Sequence, residues 1–315
     1  LPLSSLFLNS TIESLASSLS PGKDSLPWSP LVAIQPSGSN PPFFCVHPIF
    51  GVIFPYYELA HQLGTNQPFY GLQPMGLDGE SPPLTRIEDM AAYYIEALRT
   101  LQPRGPYFLG GWSFGGLVAF EMAQQLQSSG HEVALLALLD TVAPVSGSKP
   151  SVGDSFRFLF TTVGRYIWSF FLDYFYLMTA SNKNQVDSFT SRFPLFNKFV
   201  RRLETNLFSH FIPQESKSRI LRELTIRPML RVFHANTQAT LNYVPKVYPH
   251  RVTLFKTSVQ SSIAERDLTM GWGDLTLGGV EIHNIPGNHL TMLRKPHIQI
   301  LAEQLKACIE KIQTL

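Results

Sequence analysis

The chain is poor in cysteine and in charge, and it has no long unbroken apolar run. Two cysteines in 315 residues are too few for a disulfide framework. Cys45 sits inside the strand-like run Phe43-Phe44-Cys45-Val46-His47, so it and Cys308 read as buried thiols of a reducing compartment, the cytoplasm. Charged residues make up 15% of the chain, against roughly 25% in an average soluble protein. With a formal net charge of +2 and no basic cluster, nothing here would track a nucleic-acid backbone. The first residues lack the basic stretch and apolar core of a signal peptide. The most apolar stretch, residues 156–178, is broken by Arg157, Arg165 and Asp173, which argues against a membrane span. No Cys/His spacing points to a metal, no glycine loop has the form of a nucleotide site, and no internal repeat or low-complexity tract stands out.

What is present is apolar patterning. Hydrophobic residues reach 44%, and the length suits one large domain with an insertion, or two small ones. Residues 10–13, Ser-Thr-Ile-Glu, form a capping-box pattern, and Ile12, Leu15, Ala16 and Leu19 lie at helical spacing. One such helix cannot bury its own face, so residues 1–19 belong to something upstream or pack on the chain beyond residue 19. Residues 20–30 read as a linker of Pro, Ser and Gly.

From residue 31 strands and helices alternate. Strands are expected at Leu31–Gln35, residues 43–47, Phe69–Leu72, Tyr107–Trp112 and Val133–Leu139. Helices are expected at Tyr56–Leu63 and after Thr85, which forms a capping-box pattern with Glu88 and is followed by Ile87, Met90, Ala91, Tyr94, Leu98 and Leu101 at the 3.6 period. Two strands that are apolar throughout call for a mostly parallel sheet covered on both faces. The alternation stops from about residue 141 to 231, then resumes with strands at residues 252–256 and Val280–Ile285 and a helix begun by Pro296. The middle segment is thus expected to be a helical insertion, about residues 142–232.

One stretch organises the rest: Tyr107 runs through Gly111-Trp112-Ser113-Phe114-Gly115-Gly116 into the helical spacing of Ala119, Met122, Ala123 and Leu126. A strand, a sharp turn and a helix strain the central serine and demand small residues two positions before and after it. Gly111 and Gly115 meet that demand. The bland alternative is a glycine-rich turn with a serine N-cap.

A serine hydroxyl is a weak nucleophile near neutral pH and needs a base, with a third group to orient that base. In an open parallel sheet such groups converge at the carboxyl ends of strands. Asp140 closes the run after Val133, and His289 lies in the turn Pro286-Gly287-Asn288-His289 after the last strand. Ser, Asp, His is the chain order of the α/β-hydrolase fold. Asp267 and Asp274 compete for the acid, in a long polar stretch. Among other histidines, His283 lies inside the last strand, His131, His250 and His297 sit at turns or helix starts, and His47 reads as a residue hydrogen-bonded at a strand end. His47-Pro48-Ile49 follows the second strand, where a backbone N–H can join that of Phe114 in holding an oxyanion. Residues 156–178 carry ten aromatic side chains, Phe170 and Tyr174 among them. They read either as ordinary packing or as a lid whose apolar wall lines a substrate channel.

Phe44-Cys45-Val46-His47-Pro48, Gly110 to Gly116, Leu138-Leu139-Asp140 and Pro286-Gly287-Asn288-His289 resemble the type I thioesterase domains that end non-ribosomal peptide and polyketide synthases. The resemblance implies an α/β-hydrolase domain at 31–315, with residues 1–19 as the end of an acyl- or peptidyl-carrier domain. It implies that Ser113 takes the chain from the phosphopantetheine arm of that carrier, that His289 acts as base and then acid, that Asp140 orients it, and that the N–H groups of Ile49 and Phe114 hold the oxyanion. No cofactor is implied in this chain. Where the family often continues His-Pro-x-Gly with a second glycine, this chain has Phe50-Gly51-Val52. A free-standing editing thioesterase, a general esterase or lipase, and a non-catalytic binding module are the other readings; the triad-like residues count against the last.

Overall fold

The computed structural model describes residues 28–144, 227–259 and 267–314. The expected carrier remnant at 1–19, nearly all of the linker at 20–30, most of the insertion at 142–232, and Phe170 and Tyr174 lie outside the described residues.

Seven strands form one sheet: β1 (Leu31–Gln35), β2 (Phe43–Val46), β3 (Phe69–Leu72), β4 (Tyr107–Trp112), β5 (Val133–Leu139), β6 (Val252–Thr257) and β7 (Val280–Ile285). Their order across the sheet is β1-β3-β2-β4-β5-β6-β7. Only β1 runs antiparallel, and it pairs with β3 rather than with its sequence neighbour β2. Helix α1 (Tyr56–Leu63) separates β2 from β3, α2 (Ile87–Leu101) leads to β4, and α3 (Phe114–Ser128) joins β4 to β5. Helix α4 (Arg227–Asn242) precedes β6, and α5 (His297–Gln313) closes the chain. The turn before α2 differs from expectation in one detail: Arg86, not Thr85, holds the cap position, and no side chain caps the helix.

The period-2 alternation of the strands explains the two layers. On β2 Phe44 and Val46 face one core while Phe43 and Cys45 face the other; on β5 Leu136 and Leu138 oppose Leu135, Ala137 and Leu139. Helices α2, α3 and α4 cover the first face, α1 and α5 the second. Among the described residues, no helix is long and apolar enough to cross a membrane.

Register brings the carboxyl ends of the parallel strands to one rim. Val46 pairs with Gly111, Trp112 with Leu139, Leu139 with Phe255 and Thr257 with Ile285. His47, Ser113, Asp140 and the turn at 286–289 therefore leave the sheet at the same edge.

Helix α3 reaches the sheet closely because two glycines let it. A Cβ on Gly111 would strike the main chain of Gly115, and one on Gly115 would strike the carbonyl oxygens of Val46 and His47. We expect Gly115→Ala to destabilise the fold by several kcal/mol, of order 3 or more, since backbone must move. Gly130→Ala has open space and a φ of 77°, so it should cost only about 1–2 kcal/mol of backbone strain. Denaturant midpoints of the two variants test this, and equal losses would contradict it.

Candidate active site

Ser113 sits between β4 and α3 at φ 58°, ψ −120°. A non-glycine residue held there is strained, and such strain persists only where the surroundings enforce it. They do so here by three bonds. The Ser113 N–H donates to the Leu139 carbonyl at 2.9 Å, and the Ser113 carbonyl accepts from the Gly116 N–H at 3.1 Å and the Thr141 hydroxyl at 3.0 Å. Seated at the start of α3, the serine meets the positive end of that helix, a favourable place for developing negative charge.

Asp140 also has a positive φ, 47°, and is buried. Its Oδ1 accepts from the Thr257 N–H at 2.9 Å and the Thr257 hydroxyl at 3.0 Å. Its Oδ2 lies 2.8 Å from Nδ1 of His289. An ionised carboxylate only accepts, so Nδ1 carries the proton in this contact and Nε2 keeps its lone pair. His289 is presented by a tight turn in which Asn288 Oδ1 accepts from the N–H groups of Leu290 and Thr291, with Gly287 at φ 89°. The indole of Trp112 lies beside the imidazole, ring centres 5.1 Å apart.

The competing residues are engaged elsewhere. Asp267 caps its own loop, accepting from the Thr269 N–H and hydroxyl and from the Gly271 N–H, and the Thr269 hydroxyl bond holds its carboxyl below the usual range. Asp274 is exposed on a short 3-10 turn, Trp272–Leu275. His283 stacks on Phe255 and meets Glu281 and Cys308. The ligand-type atoms of Glu281, His283 and Cys308 lie within 4.8 Å of one another, yet Glu281 is already paired with Arg251 and Lys311. Burial pushes the Cys308 thiol up to about 11, so it stays protonated beside the Glu281 carboxylate.

The loop from His47 to Gly51 is built from beneath. His47 is fully buried, its Nδ1 2.8 Å from the Pro48 carbonyl and its Nε2 2.8 Å from the Tyr94 hydroxyl, and its ring stacks on Phe114. A carbonyl cannot donate, so Nδ1–H donates to Pro48 and the Tyr94 hydroxyl donates to Nε2. The Gly51 N–H donates to the same Pro48 carbonyl at 2.8 Å. That carbonyl shares a planar peptide with the Ile49 N–H, which must point the opposite way. The left-handed residue of the loop is Gly51, at φ 80°, so Phe50 needs no glycine's freedom and instead stacks on Phe233 at 4.8 Å. Alongside, the buried Tyr56 hydroxyl donates to the Val46 carbonyl at 2.6 Å and accepts from the Trp112 N–H at 3.2 Å, tying β2 to β4 where both end.

Thr257, Tyr94, Tyr56 and Asn236 were not singled out from the sequence. Thr257 alone carried a signal, since it closes a parallel strand as Leu139 does before Asp140.

The Thioesterase domain family matches residues 41–309. The malpibaldin synthetase of Mortierella alpina is 43% identical over 148 residues, 46% of this chain and 3% of that protein. The dimodular nonribosomal peptide synthase of Bacillus subtilis (strain 168) is 44% identical over 140 residues, 44% of this chain and 6% of its own length. The chain thus spans a small fraction of these relatives. A crystal structure of the NocB thioesterase domain, in covalent complex with a fluorophosphonate nocardicin G analog, superposes with a TM-score of 0.58 at 23% identity, covering 89% of this chain and all of that one. A four-domain nonribosomal peptide synthetase bound to AMP and glycine gives a TM-score of 0.65 at 23% identity, covering 95% of this chain and 22% of that one. These structures share the fold.

Burial lowers the His47 pKa from 6.5 to about 4, against the smaller opposing effect of the Pro48 bond. The imidazole is therefore neutral in the fold and would protonate in the unfolded chain at higher pH, so its contribution to stability is full above about 6.5 and is lost as pH falls toward 4. Denaturant midpoints between pH 7 and 4 should show this loss, and His47→Gln should flatten that part of the profile; an unchanged slope would contradict the assignment.

Proposed function

Because this chain belongs to the thioesterase domain family, we propose that it releases the product of a megasynthase from its carrier, using Ser113, His289 and Asp140 as nucleophile, base and orienting acid. The observation that carries this reading is the Asp140 carboxylate, which holds His289 through one oxygen and is itself held by Thr257 through the other. The likeness of the chain to parts of nonribosomal peptide synthetases supports the release role and a thioester substrate on the phosphopantetheine arm of an upstream carrier domain.

In the first half-reaction the Ser113 oxygen bonds the thioester carbonyl carbon while Nε2 of His289 takes the hydroxyl proton. The carbonyl oxygen becomes an oxyanion, met by the N–H groups of Ile49 and Phe114 and by the start of α3. The carbon–sulfur bond then breaks, the pantetheine sulfur leaves with the proton from His289, and an acyl-serine remains. In the second half, water or a hydroxyl or amine of the acyl chain gives its proton to His289 and attacks the ester. The products are a free acid or a macrocycle, and Ser113 recovers its proton. The cytoplasm belongs to the same reading, since both cysteines are buried and free.

Two experiments test this proposal. Ser113→Ala is expected to abolish turnover of an acyl-pantetheine thioester, and a fluorophosphonate should label Ser113 alone in the unaltered chain, read by peptide mass; a label elsewhere would refute the assignment. Asp140→Asn should lower kcat by about 10³–10⁴-fold by leaving His289 in the wrong tautomer. The same loss in Asp267→Asn, with Asp140→Asn unaffected, would move the acid to position 267.

A further inference from the structure

Helix α4, at the end of the insertion, lies along the oxyanion loop. Phe233 stacks on Phe50, a Cβ on Gly51 would touch Val232, and one turn further on Asn236 is buried with its Nδ2–H donating to the Ile49 carbonyl at 2.7 Å. Positions 232, 233 and 236 share one helix face. Just past the end of α4, the Tyr243 hydroxyl donates to Glu121 of α3, the helix that follows Ser113, at 2.9 Å.

The Asn236 amide is an expensive way to fill a core position. Its Oδ1 is buried and has no hydrogen-bond partner among the described residues. A buried carbonyl left unmet costs about 1–3 kcal/mol, whereas a leucine of similar volume carries no polar atom to bury. The single bond to Ile49 is what the amide supplies in return. That bond acts on the peptide after Ile49, while His47 and Gly51 fix the peptide before it. With both planes held, residue 49 has no free backbone rotation and its N–H direction is set.

We propose that Asn236 is a positioning residue for the oxyanion hole, and that through it helix α4 and the catalytic loop are mechanically joined. The proposal rests on the assignment of Ile49 and Ser113 above. Asn236 does not touch the substrate; it acts through the Ile49 peptide, so it matters most when the carbonyl carbon is tetrahedral and the oxygen carries charge.

The test compares Asn236→Leu, Asn236→Ser and Asn236→Asp with Thr237→Val, a neighbouring change that should leave activity as it is. Active sites are counted by fluorophosphonate labelling of Ser113, so that rates refer to folded molecules only. On an acyl-pantetheine thioester kcat should fall about 10- to 100-fold in the Leu and Ser variants, less than the 10²–10³ for removing an oxyanion donor outright. Asn236→Asp, which sets an acceptor against the Ile49 carbonyl, should lose more. KM should stay within about twofold, as expected for an interaction made only in the transition state. An acyl boronate, which forms a tetrahedral adduct with Ser113, should weaken in parallel with kcat, while the amide analogue of the substrate keeps its affinity. A kcat per labelled site within about twofold of the unaltered chain, or equal weakening of boronate and amide, overturns the proposal. Absence of Ser113 labelling in the unaltered chain overturns the functional reading itself.

Discussion

Nothing larger than hydrogen fits at position 115, because there the elbow helix meets the end of β2 main chain to main chain. The rest of the rim depends on this contact. It brings the start of α3, with its positive end, against the loop that opens at His47, and leaves Ser113 the strained φ of 58° as the connection between strand and helix. Gly111 serves the same approach one strand over, where a side chain would strike the helix it leads into. The cost of the strained serine is met by bonds on both sides of it, to Leu139, Gly116 and Thr141.

Around that contact the polar groups are arranged so that each is held by a neighbour with a fixed role. Thr257 occupies one oxygen of Asp140 and leaves the other for His289. The Tyr94 hydroxyl donates a hydrogen bond to Nε2 of His47, which fixes the imidazole in one tautomer and commits its other nitrogen to Pro48. The two histidines are thus alike in having one nitrogen spoken for, but they differ in surroundings. His47 is sealed and kept neutral by burial, while His289 is partly open and backed by a carboxylate. Burial without a counter-charge keeps His47 in its structural place; a neighbouring carboxylate and partial exposure are what the proposed role of His289 as a base needs.

The fold extends this arrangement to helix α4. Helix α4 stands 187 residues from Ile49 in the chain, yet its Asn236 bonds that residue directly. The loop is therefore gripped from two sides, from the sheet by His47 and from helix α4 by Asn236. Phe50 illustrates the same point. The sequence places an aromatic side chain where the resembled family often has glycine, and Phe233 of α4 provides its partner. The Thr85 cap is an opposite case: a local pattern was present, and the chain began the helix one residue later without it.

The sequence by itself determined the elements and their faces, because hydrophobic periodicity is a local property. The strands at Leu31–Gln35, Phe69–Leu72 and Val133–Leu139 and the helix at Tyr56–Leu63 have the bounds their patterns announce. It also marked Ser113, through glycine spacing, and the ends of β5 and β7 as the places for an acid and a histidine. It did not determine that β3 would slip between β1 and β2, since pairing is chosen by packing across the sheet and not by adjacency in the chain. The partners that hold each group, Thr257 for Asp140, Tyr94 for His47 and Asn236 for Ile49, were decided only by the tertiary structure. A hydrogen bond needs its donor within about 3 Å of its acceptor, and over separations of 47 to 187 residues only the folded path of the backbone sets that distance.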